Sequence, residues 1–411
     1  MKLLPHICIN KITIKSNQKN MKNSMIKLFG LVAVVGSLLT SCATSTDEPT
    51  STFVVTPSNF QGTINDGEVI LEANITYYLT GKLQINSGAS LVIPAGTQIL
   101  ATGGTAAYIA VAQGGQLFVN GTASNPVVMT SGLTTKAAGD WGGLVICGRA
   151  PINTVSGGTS TAQSEVADLT YGGAIANDNS GSIRYLRVEY AGAAFSAVKE
   201  FNGVSLFGVG SGTVFEYVET YHGADDGFEF FGGTVNTKGL VSYGNEDDAF
   251  DWTEGWNGTN TDWYGKSAFG KGNRGIEADN YEFGFANTPI ANPSITNLSL
   301  VGPGSTVSST TYPENDALKL RRGTKGIFAN LHLSGFAKGF NVEHDETIAF
   351  VGTALKATNV SYSDITSKTS GKNTAGVSTS VATVADETTT ATGAGAGAAA
   401  PSWSTGWTVL Q

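Results

Sequence analysis

The sequence predicts an all-β fold, a single-stranded parallel β-helix (a solenoid) with long loop excursions. Three observations support this prediction: a 22-residue repeat, an unusually high glycine content, and short apolar segments that alternate with turn residues. In a solenoid each repeat buries its apolar side only against its neighbours, so similar residues recur at a fixed period.

The repeat is clearest where YHGADDGFEFFGGT is followed by YGNEDDAFDWTEGW, with matching residues 22 positions apart. This offset places Phe228 on Phe250 and Glu229 on Asp251, and a further echo, NDALKLRRGT, begins at Asn315. If one repeat is one turn of the solenoid, similar side chains form ladders with a spacing of about 4.8 Å.

Composition excludes several classes of protein. Glycine accounts for 53 of 411 residues and charged residues for only 14%, which argues against helical bundles. The formal net charge is −9, but six of the 24 basic residues and none of the 33 acidic ones lie in residues 1–41, which leaves 18 against 33, a balance of −15. We therefore expect no nucleic-acid partner, whereas cations and glycans remain compatible with the chain.

Residues 1–41 are interpreted as an upstream extension followed by a lipoprotein signal peptide. Lys22 and Lys27 precede an apolar run, residues 28–39, that is too short to span a bilayer stably. The run ends in Leu-Thr-Ser-Cys, which resembles a lipobox, the bacterial signal for lipidation of a cysteine, here Cys42. Acyl chains on this cysteine would hold the protein on a membrane.

The acidic pair Asp47 and Glu48 resembles the surface-export signal of Bacteroidota lipoproteins. We therefore expect a lipid-anchored protein of the outer membrane, exposed at the cell surface. The alternatives are a plain secretory signal that ends near a cysteine, or an unprocessed anchor. Cys147 is the one thiol of the mature chain, and its apolar strand predicts a buried, inert side chain.

The remaining chain divides by composition and pattern. A polar loop is expected at residues 154–168, and the longest departure from the repeat at 251–294. The predicted segments are a tether at 42–52, the β-helix at 53–365, a flexible low-complexity insertion at 366–400, and a C-terminal cap strand over the last turn at 401–411.

Three phrases carry a family resemblance: GASLVIPAGTQI, GGQLFVNGTASNPVVMTS and DWGGLVICGRA. They resemble right-handed parallel β-helix proteins of the pectin-lyase-like type. The similarity is strongest to a group of secreted and lipid-anchored Bacteroidota proteins whose role is poorly defined. The resemblance covers residues 79–407 and implies a right-handed coil, but many unrelated functions share this fold.

The repeat stacks carboxylates on adjacent turns: Asp225 on Asp247, Asp226 on Asp248, and Glu229 on Asp251. Like charges about 5 Å apart repel by roughly 3 kcal/mol at an effective dielectric constant near 20. One explanation is turn capping, in which the aspartates accept backbone N–H bonds. Another is a Ca²⁺ site, and a third is catalysis. The metal ligands would be Asp225, Asp226, Asp247, Asp248 and Asp251.

Catalysis would follow the polygalacturonase-type glycoside hydrolases, which carry aspartates on successive turns of this fold as acid and base. The resemblance would give these roles to Asp225, Asp226, Asp247 and Asp248. The Gly-His-Gly and Arg-Ile-Lys motifs of those enzymes are absent from this sequence. Lyases of this fold need a basic residue beside Ca²⁺. Candidates by residue type are Arg274, Lys319, Arg321 and Arg322, of which Lys319 takes the place of Asp251 in the echo and can neutralise the ladder.

Aromatic residues crowd the region after the second acidic repeat. Trp252, Trp256, Trp263 and Tyr264 are candidates for a sugar-stacking platform, with Glu277 and Asp279 as acceptors for sugar hydroxyls; the alternative is mutual burial. The histidines have no metal-ligand spacing. The leading hypothesis is a binding or structural role at the cell surface, with glycans or surface proteins as ligands. A polysaccharide-degrading enzyme is the alternative, and a secretion or uptake accessory subunit stays open.

Overall fold

The structure, a computed structural model, describes residues 51–410 except 197, 198, 269, 309 and 311. The fold-class prediction is confirmed, because 22 strands join in one continuous system of parallel pairings. The predicted signal peptide, Cys42 and most of the tether lie outside the described residues. Within the described part of the chain, no helix has the length and apolar character needed to cross a membrane.

The strands of the N-terminal half are β1 Phe60–Ile64, β2 Gly67–Ile70, β3 Thr76–Ile85, β4 Ala89–Pro94, β5 Gln98–Ala101, β6 Tyr108–Val111, β7 Gln116–Asn120, β8 Val127–Ser131, β9 Gly143–Cys147, β10 Thr161–Gln163, β11 Thr170–Gly172 and β12 Gly181–Glu189. Those of the C-terminal half are β13 Val204–Phe207, β14 Val214–Tyr221, β15 Phe228–Phe231, β16 Asn236–Tyr243, β17 Phe250–Thr253, β18 Thr259–Lys266, β19 Ile276–Ala278, β20 Ser294–Val301, β21 Asp316–Leu320, β22 Gly326–Glu343, β23 Leu355–Lys372 and β24 Ala385–Glu387. The short helices are α1, Asp345–Ile348, and three 3₁₀ turns, Pro57–Asn59, Gly104–Ala106 and Ser402–Ser404.

Successive turns of the helix stack in register. In the long-strand series β12 pairs with β14, then β16, β18 and β20; in the short-strand series β9 pairs with β13, then β15, β17, β19 and β21. Phe228 lies opposite Phe250, which confirms the 22-residue offset. Each turn is called a rung below.

Each long strand bends at the same position of its rung. The bend residue has a positive φ in seven successive rungs: Tyr185, Tyr217, Gly239, Asp262, Asn297, Asn330 and Asn359. Glycine, asparagine and aspartate tolerate this left-handed conformation better than other residues do. The turn residues that the sequence repeats therefore fix where the chain changes direction.

The interior is filled by ladders of large apolar side chains. Phe228 stacks on Phe250 with ring centroids 5.7 Å apart, and Phe250 stacks on Trp263 at 4.4 Å. Phe230 stacks on Trp256 at 4.0 Å. Because each rung repeats the same inward positions, the core continues from one rung to the next without a boundary.

The excursion after β9 forms an antiparallel hairpin, β10 and β11, with register Thr161↔Gly172. We call residues 161–172 the cover hairpin. Val166 at its tip is fully buried and packs with Phe207, Phe231 and the buried thiol of Cys147. The hairpin thus lies on the outer face of the short-strand series.

Two predicted boundaries are wrong. Residues 251–294 are not a single departure from the repeat, because β17, β18 and β19 continue the rungs, and the longest segment between these strands and β20 is 279–293. The insertion was expected to begin at residue 366, but β23 continues to Lys372 in register with β22. Beyond it, Val381 and Val384 pack on the end of the core.

The C-terminal segment was expected to be a strand over the last rung, and this expectation is wrong. It contains a 3₁₀ turn, Ser402–Ser404, and packs along the side of the long-strand series. The ring of Trp407 is fully buried and contacts the edges of Tyr185 and Tyr217. The backbone N–H of Val409 donates to the buried Glu219 carboxylate at 3.0 Å.

Candidate functional site

One column of outward positions on the short-strand series carries most of the acidic ladder. Glu229 lies opposite Asp251, Asp251 opposite Glu277, and Glu277 opposite Lys319. The predicted stacking of Glu229 on Asp251 is confirmed. The predicted role of Lys319 is also borne out, since its Nζ lies 3.8 Å from Glu277 Oε1.

A second column begins with Asp226 and Asp248, at the turn before each short strand. The N–H of Asp248 donates to Asp226 Oδ1 at 2.9 Å, and the N–H of Arg274 donates to Asp248 Oδ1 at 2.7 Å. Turn capping is therefore confirmed for these two aspartates. One oxygen of Asp226 accepts this backbone bond, and its other oxygen remains for a different partner.

The C-terminal part of the ladder is neutralised by basic side chains. Arg274 contacts Asp248 at 2.8 Å and Glu277 at 2.9 Å. Arg321 contacts Glu277 at 2.5 Å and Asp279 at 2.6 Å. The carboxylates on this side are paired with arginines, and removal of either partner would leave an uncompensated buried charge.

The part of the ladder nearest the cover hairpin has no such compensation. Asp225, Asp226, Glu229 and Asp251 form no ion pair with a basic side chain in the described ranges. Burial, followed by the neighbouring Asp247 carboxylate, raises the pKa of Asp225 to about 7. Burial also raises the pKa of Asp226, Glu229 and Asp251 well above the usual range, with neighbouring carboxylates adding to the shift. These groups must either hold protons or share a cation.

Three sets of carboxylates bring one oxygen each within 4.8 Å of one another: Asp225, Asp226 and Asp247; Asp226, Glu229 and Asp251; Asp248, Asp251 and Glu277. The third set is the poorest cation site, because Arg274 already contacts two of its members. In the first set Asp247 accepts a bond from Asn273 at 2.9 Å. The second set, Asp226, Glu229 and Asp251, has no ion pair with a basic side chain among the described residues, and its members accept bonds from the Asp248 N–H and from Asn202.

The buried amide of Asn202 supports the second set as a cation site. Asn202 is 2% exposed, and its Nδ2 donates to Glu229 Oε2 at 2.7 Å, while its Oδ1 has no hydrogen-bond partner. Rotation of the amide would exchange the two atoms and present an oxygen beside the carboxylates. Three carboxylates and an amide oxygen are the hard ligands that Ca²⁺ prefers, so the residues fit this ion.

A cleft of about 350 Å³ opens over Glu229 and Asp251 of this set. Seven carboxyl groups and two arginines line it: Glu165, Glu229, Asp251, Glu254, Glu277, Asp279 and Glu282, with Arg321 and Arg322. Phe283 lies at the rim and is 80% exposed. A second cavity, of about 330 Å³, adjoins Asp225 and Asp247.

The predicted aromatic platform is not at the surface. Trp252, Trp256 and Trp263 are each 0% exposed, and Tyr264 is 1% exposed. They lie on inward positions of the rungs or, for Tyr264, under residues 394–407, where the Ala398 carbonyl accepts a hydrogen bond from its hydroxyl at 3.0 Å. The alternative interpretation, mutual burial, is the observed one. Glu277 and Asp279 do line the cleft, but as partners of arginines rather than as free acceptors.

Among the described residues that line the cleft, both basic side chains, Arg321 and Arg322, are held by carboxylates. Arg321 is held by two carboxylates, and Arg322 by Asp279 and, at 3.5 Å, Glu282. Despite burial, the carboxylates of Asp279 and Glu277 hold the pKa of Arg321 above its usual value. The catalytic alternative also loses support, because Asp226 and Asp248 cap turns and Asp248 is paired with Arg274.

Sequence reasoning missed several residues of the site, among them Glu229, Asn202, Glu165 and Glu254. The repeat already placed Glu229 on Asp251, so the same 22-residue offset could have predicted Glu229 as a metal ligand. Asn202 lies 24 residues before Asp226, outside the regular spacing. Glu165 comes from the cover hairpin, and Glu254 lies on a left-handed turn, with φ of 54°, after β17.

These features define a class: a parallel β-helix that carries a carboxylate-lined cleft on an outer sheet face. The family model of the pectate-lyase-like β-helix domain matches residues 62–408, and the chain belongs to this family. Neither the curated proteins nor the solved structures contain a significant match to the chain.

Proposed function

We propose that this chain is a calcium-dependent glycan-binding protein, held at the cell surface by a lipid anchor on Cys42. The observation that carries the binding function is the excess of seven carboxyl groups over two arginines around one cleft. At its floor lie Glu229 and Asp251, which converge with the buried Asp226 without a basic partner among the described residues. A divalent cation bound by these carboxylates balances part of this excess negative charge.

The three carboxylates would hold the cation, and rotation of the Asn202 amide would present its oxygen as a further ligand. Ca²⁺ takes roughly 6–8 oxygen ligands, so bound Ca²⁺ keeps positions for hydroxyl or carboxylate oxygens of a sugar. Arg322, a quarter exposed, offers planar donors to a sugar carboxylate. The exposed ring of Phe283 offers an apolar face for a pyranose.

Titration calorimetry with Ca²⁺, followed by a glycan array with Ca²⁺ or with EDTA, tests this function. We expect saturable Ca²⁺ binding and glycan signals that EDTA removes. The paired substitution Glu229→Gln and Asp251→Asn should abolish both. Glu216→Gln is the matched control, because Glu216 pairs with Arg184 on an exposed part of another strand. No Ca²⁺ binding in the native protein, or glycan signals unchanged by EDTA, would contradict the proposal.

A polysaccharide-degrading activity is the second candidate, and one observation favours it. Burial raises the pKa of both Glu165 and Glu254 to about 7, which suits a general acid near neutral pH. The test is release of reducing ends or of unsaturated products from pectic, alginate and host glycans. Product formation that Glu254→Gln abolishes would replace the binding proposal with this one.

The proposed location at the cell surface rests on the sequence around Cys42 and is tested separately. Mass spectrometry of the membrane fraction should find an acylated Cys42 as the mature N-terminus. Cys42→Ala should move the protein out of that fraction, and protease treatment of intact cells should degrade the native protein. A Cys42→Ala protein that stays with the membranes would contradict the lipid anchor.

A further inference from the structure

The cover hairpin limits how a ligand can lie in the cleft. We infer that the cleft recognises the end of a glycan chain rather than an internal stretch, an inference that rests on the proposed glycan binding. The hairpin stands as a wall at the cleft edge that faces the N-terminal rungs.

Without the hairpin, the cleft floor would continue toward the N-terminus. Glu229 lies opposite Ser205, Ser205 opposite Val145, Val145 opposite Ala110, and Ala110 opposite Gln84. These residues occupy one outward column on five consecutive rungs. An elongated ligand lying along the solenoid axis would follow this column.

The hairpin interrupts the column in its middle. Ser205 and Val145 are each 1% exposed and Ala110 is 0% exposed, although all three lie on outward positions. Val145 and Ala110 pack in one apolar cluster with Val166 and Tyr171 of the hairpin. The hairpin covers this column over three rungs. The first and the third of these rungs are about 10 Å apart at the usual strand spacing.

The two sides of the hairpin face different cavities. Glu165 lines the carboxylate-rich cleft, whereas residues 168–170 line a separate cavity of about 570 Å³ on the N-terminal side. That second cavity is lined mainly by neutral polar side chains: Asn65, Gln84, Asn86, Ser87 and Gln113. The hairpin therefore divides one long face into two compartments.

The wall is anchored along its length, so it does not resemble a mobile lid. Tyr171 donates its hydroxyl to Glu254 Oε2 at 2.7 Å. At the base of the excursion, Asn153 Nδ2 donates to Asn280 Oδ1 at 2.8 Å, and Arg149 contacts Asp178 at 3.3 Å. A chain seated on the cation can thus extend toward Arg322 and Phe283, but not past the hairpin.

The experiment compares the native protein with short, intermediate and long fragments of two polyuronates, polygalacturonate and hyaluronan, in Ca²⁺ below the gelling concentration. Calorimetry or analytical ultracentrifugation then counts protein molecules per glycan chain. End recognition predicts one protein per glycan chain at every length, because the two ends differ chemically and the cleft recognises one of them. It also predicts that one of two modifications weakens binding at least tenfold. The two modifications are borohydride reduction of the reducing end and an unsaturated sugar at the non-reducing end.

The outcomes separate this inference from the proposed function. If the number of bound proteins grows with chain length and neither end modification matters, end recognition is wrong, while calcium-dependent glycan binding stands. If neither polyuronate binds at any length with Ca²⁺, the end-recognition inference fails for anionic chains together with the binding proposal. One protein per chain, combined with sensitivity to one end, supports both.

Discussion

Glu229 lies directly opposite Asp251 on the adjacent rung, and neither carboxylate has a basic side chain as an ion-pair partner in the described part of the chain. Two rungs further along the same column, Lys319 replaces the acid and lies 3.8 Å from Glu277. The ladder is thus neutralised at one end and uncompensated at the other. The uncompensated end is the floor of the cleft.

The first prediction concerns pH. Burial raises the pKa of Asp225 from its ordinary value of 3.8 to about 7, so the native state holds its proton more tightly than the unfolded chain does. The stability gained is complete below the unfolded value and is lost as pH rises through the folded value. In EDTA, the melting temperature should therefore fall between about pH 5 and about pH 8.

Ca²⁺ should reverse this trend, because the cation takes the place of the protons. The melting-temperature shift caused by Ca²⁺ should grow with pH over the same interval. Differential scanning calorimetry at several pH values, with and without Ca²⁺, measures both trends. A melting temperature in EDTA that rises with pH would show that the acidic ladder is not protonated in the folded protein.

The second prediction concerns Arg274, whose side chain is 10% exposed and contacts Asp248, Glu277 and Glu314. Arg274→Gln leaves the buried Asp248 carboxylate without a basic partner, which typically costs about 3–5 kcal/mol. Urea unfolding should show this loss at neutral pH and a smaller one when the acids are protonated. Arg184→Gln is the control, since this exposed pair with Glu216 contributes about 0–1 kcal/mol. Equal losses for both variants would refute the prediction.

The third prediction separates buried from exposed aromatic rings. Trp256→Ala removes a ring that stacks on Phe230 at 4.0 Å and should cost about 3–5 kcal/mol. Phe283→Ala should change stability by less than about 0.5 kcal/mol and weaken glycan binding instead. Denaturant unfolding and the glycan array measure the two effects. A stable Trp256→Ala protein that loses glycan binding would restore the surface-platform hypothesis.

The fourth prediction concerns the C-terminal segment. Trp407→Ala should cost about 3–5 kcal/mol, because the ring is fully buried against Tyr185 and Tyr217. Val377→Ala, at an exposed site, is the control. Urea unfolding of both proteins measures the difference. A negligible loss for Trp407→Ala would mean that the segment does not contribute to folding.

The acidic ladder could be predicted because a solenoid repeats its contacts. Glu229, Asp251 and Lys319 occupy the column that the 22-residue offset and the echo assigned to them. The fate of the tryptophans was ambiguous in the sequence, because an aromatic residue in a glycine-rich repeat fits an inward or an outward position. Only the rung register shows that Trp252 and Trp256 point inward.

The residues that complete the site had no periodic signal. Glu165 reaches the cleft from a hairpin that is separated from Glu229 by 64 positions. Asn202 approaches Glu229 from a turn with irregular spacing. Such contacts depend on how an excursion folds back on the solenoid, which is a long-range packing outcome.

The sequence by itself determined the coil and the stacking of the carboxylates, because both follow from nearest-neighbour repetition along the chain. The tertiary structure decided which carboxylates are buried, which have basic partners, and where the face is closed. Burial and charge compensation depend on segments distant in sequence, and it is the cover hairpin and the arginines around Glu277 that turn a uniform ladder into a one-sided cleft.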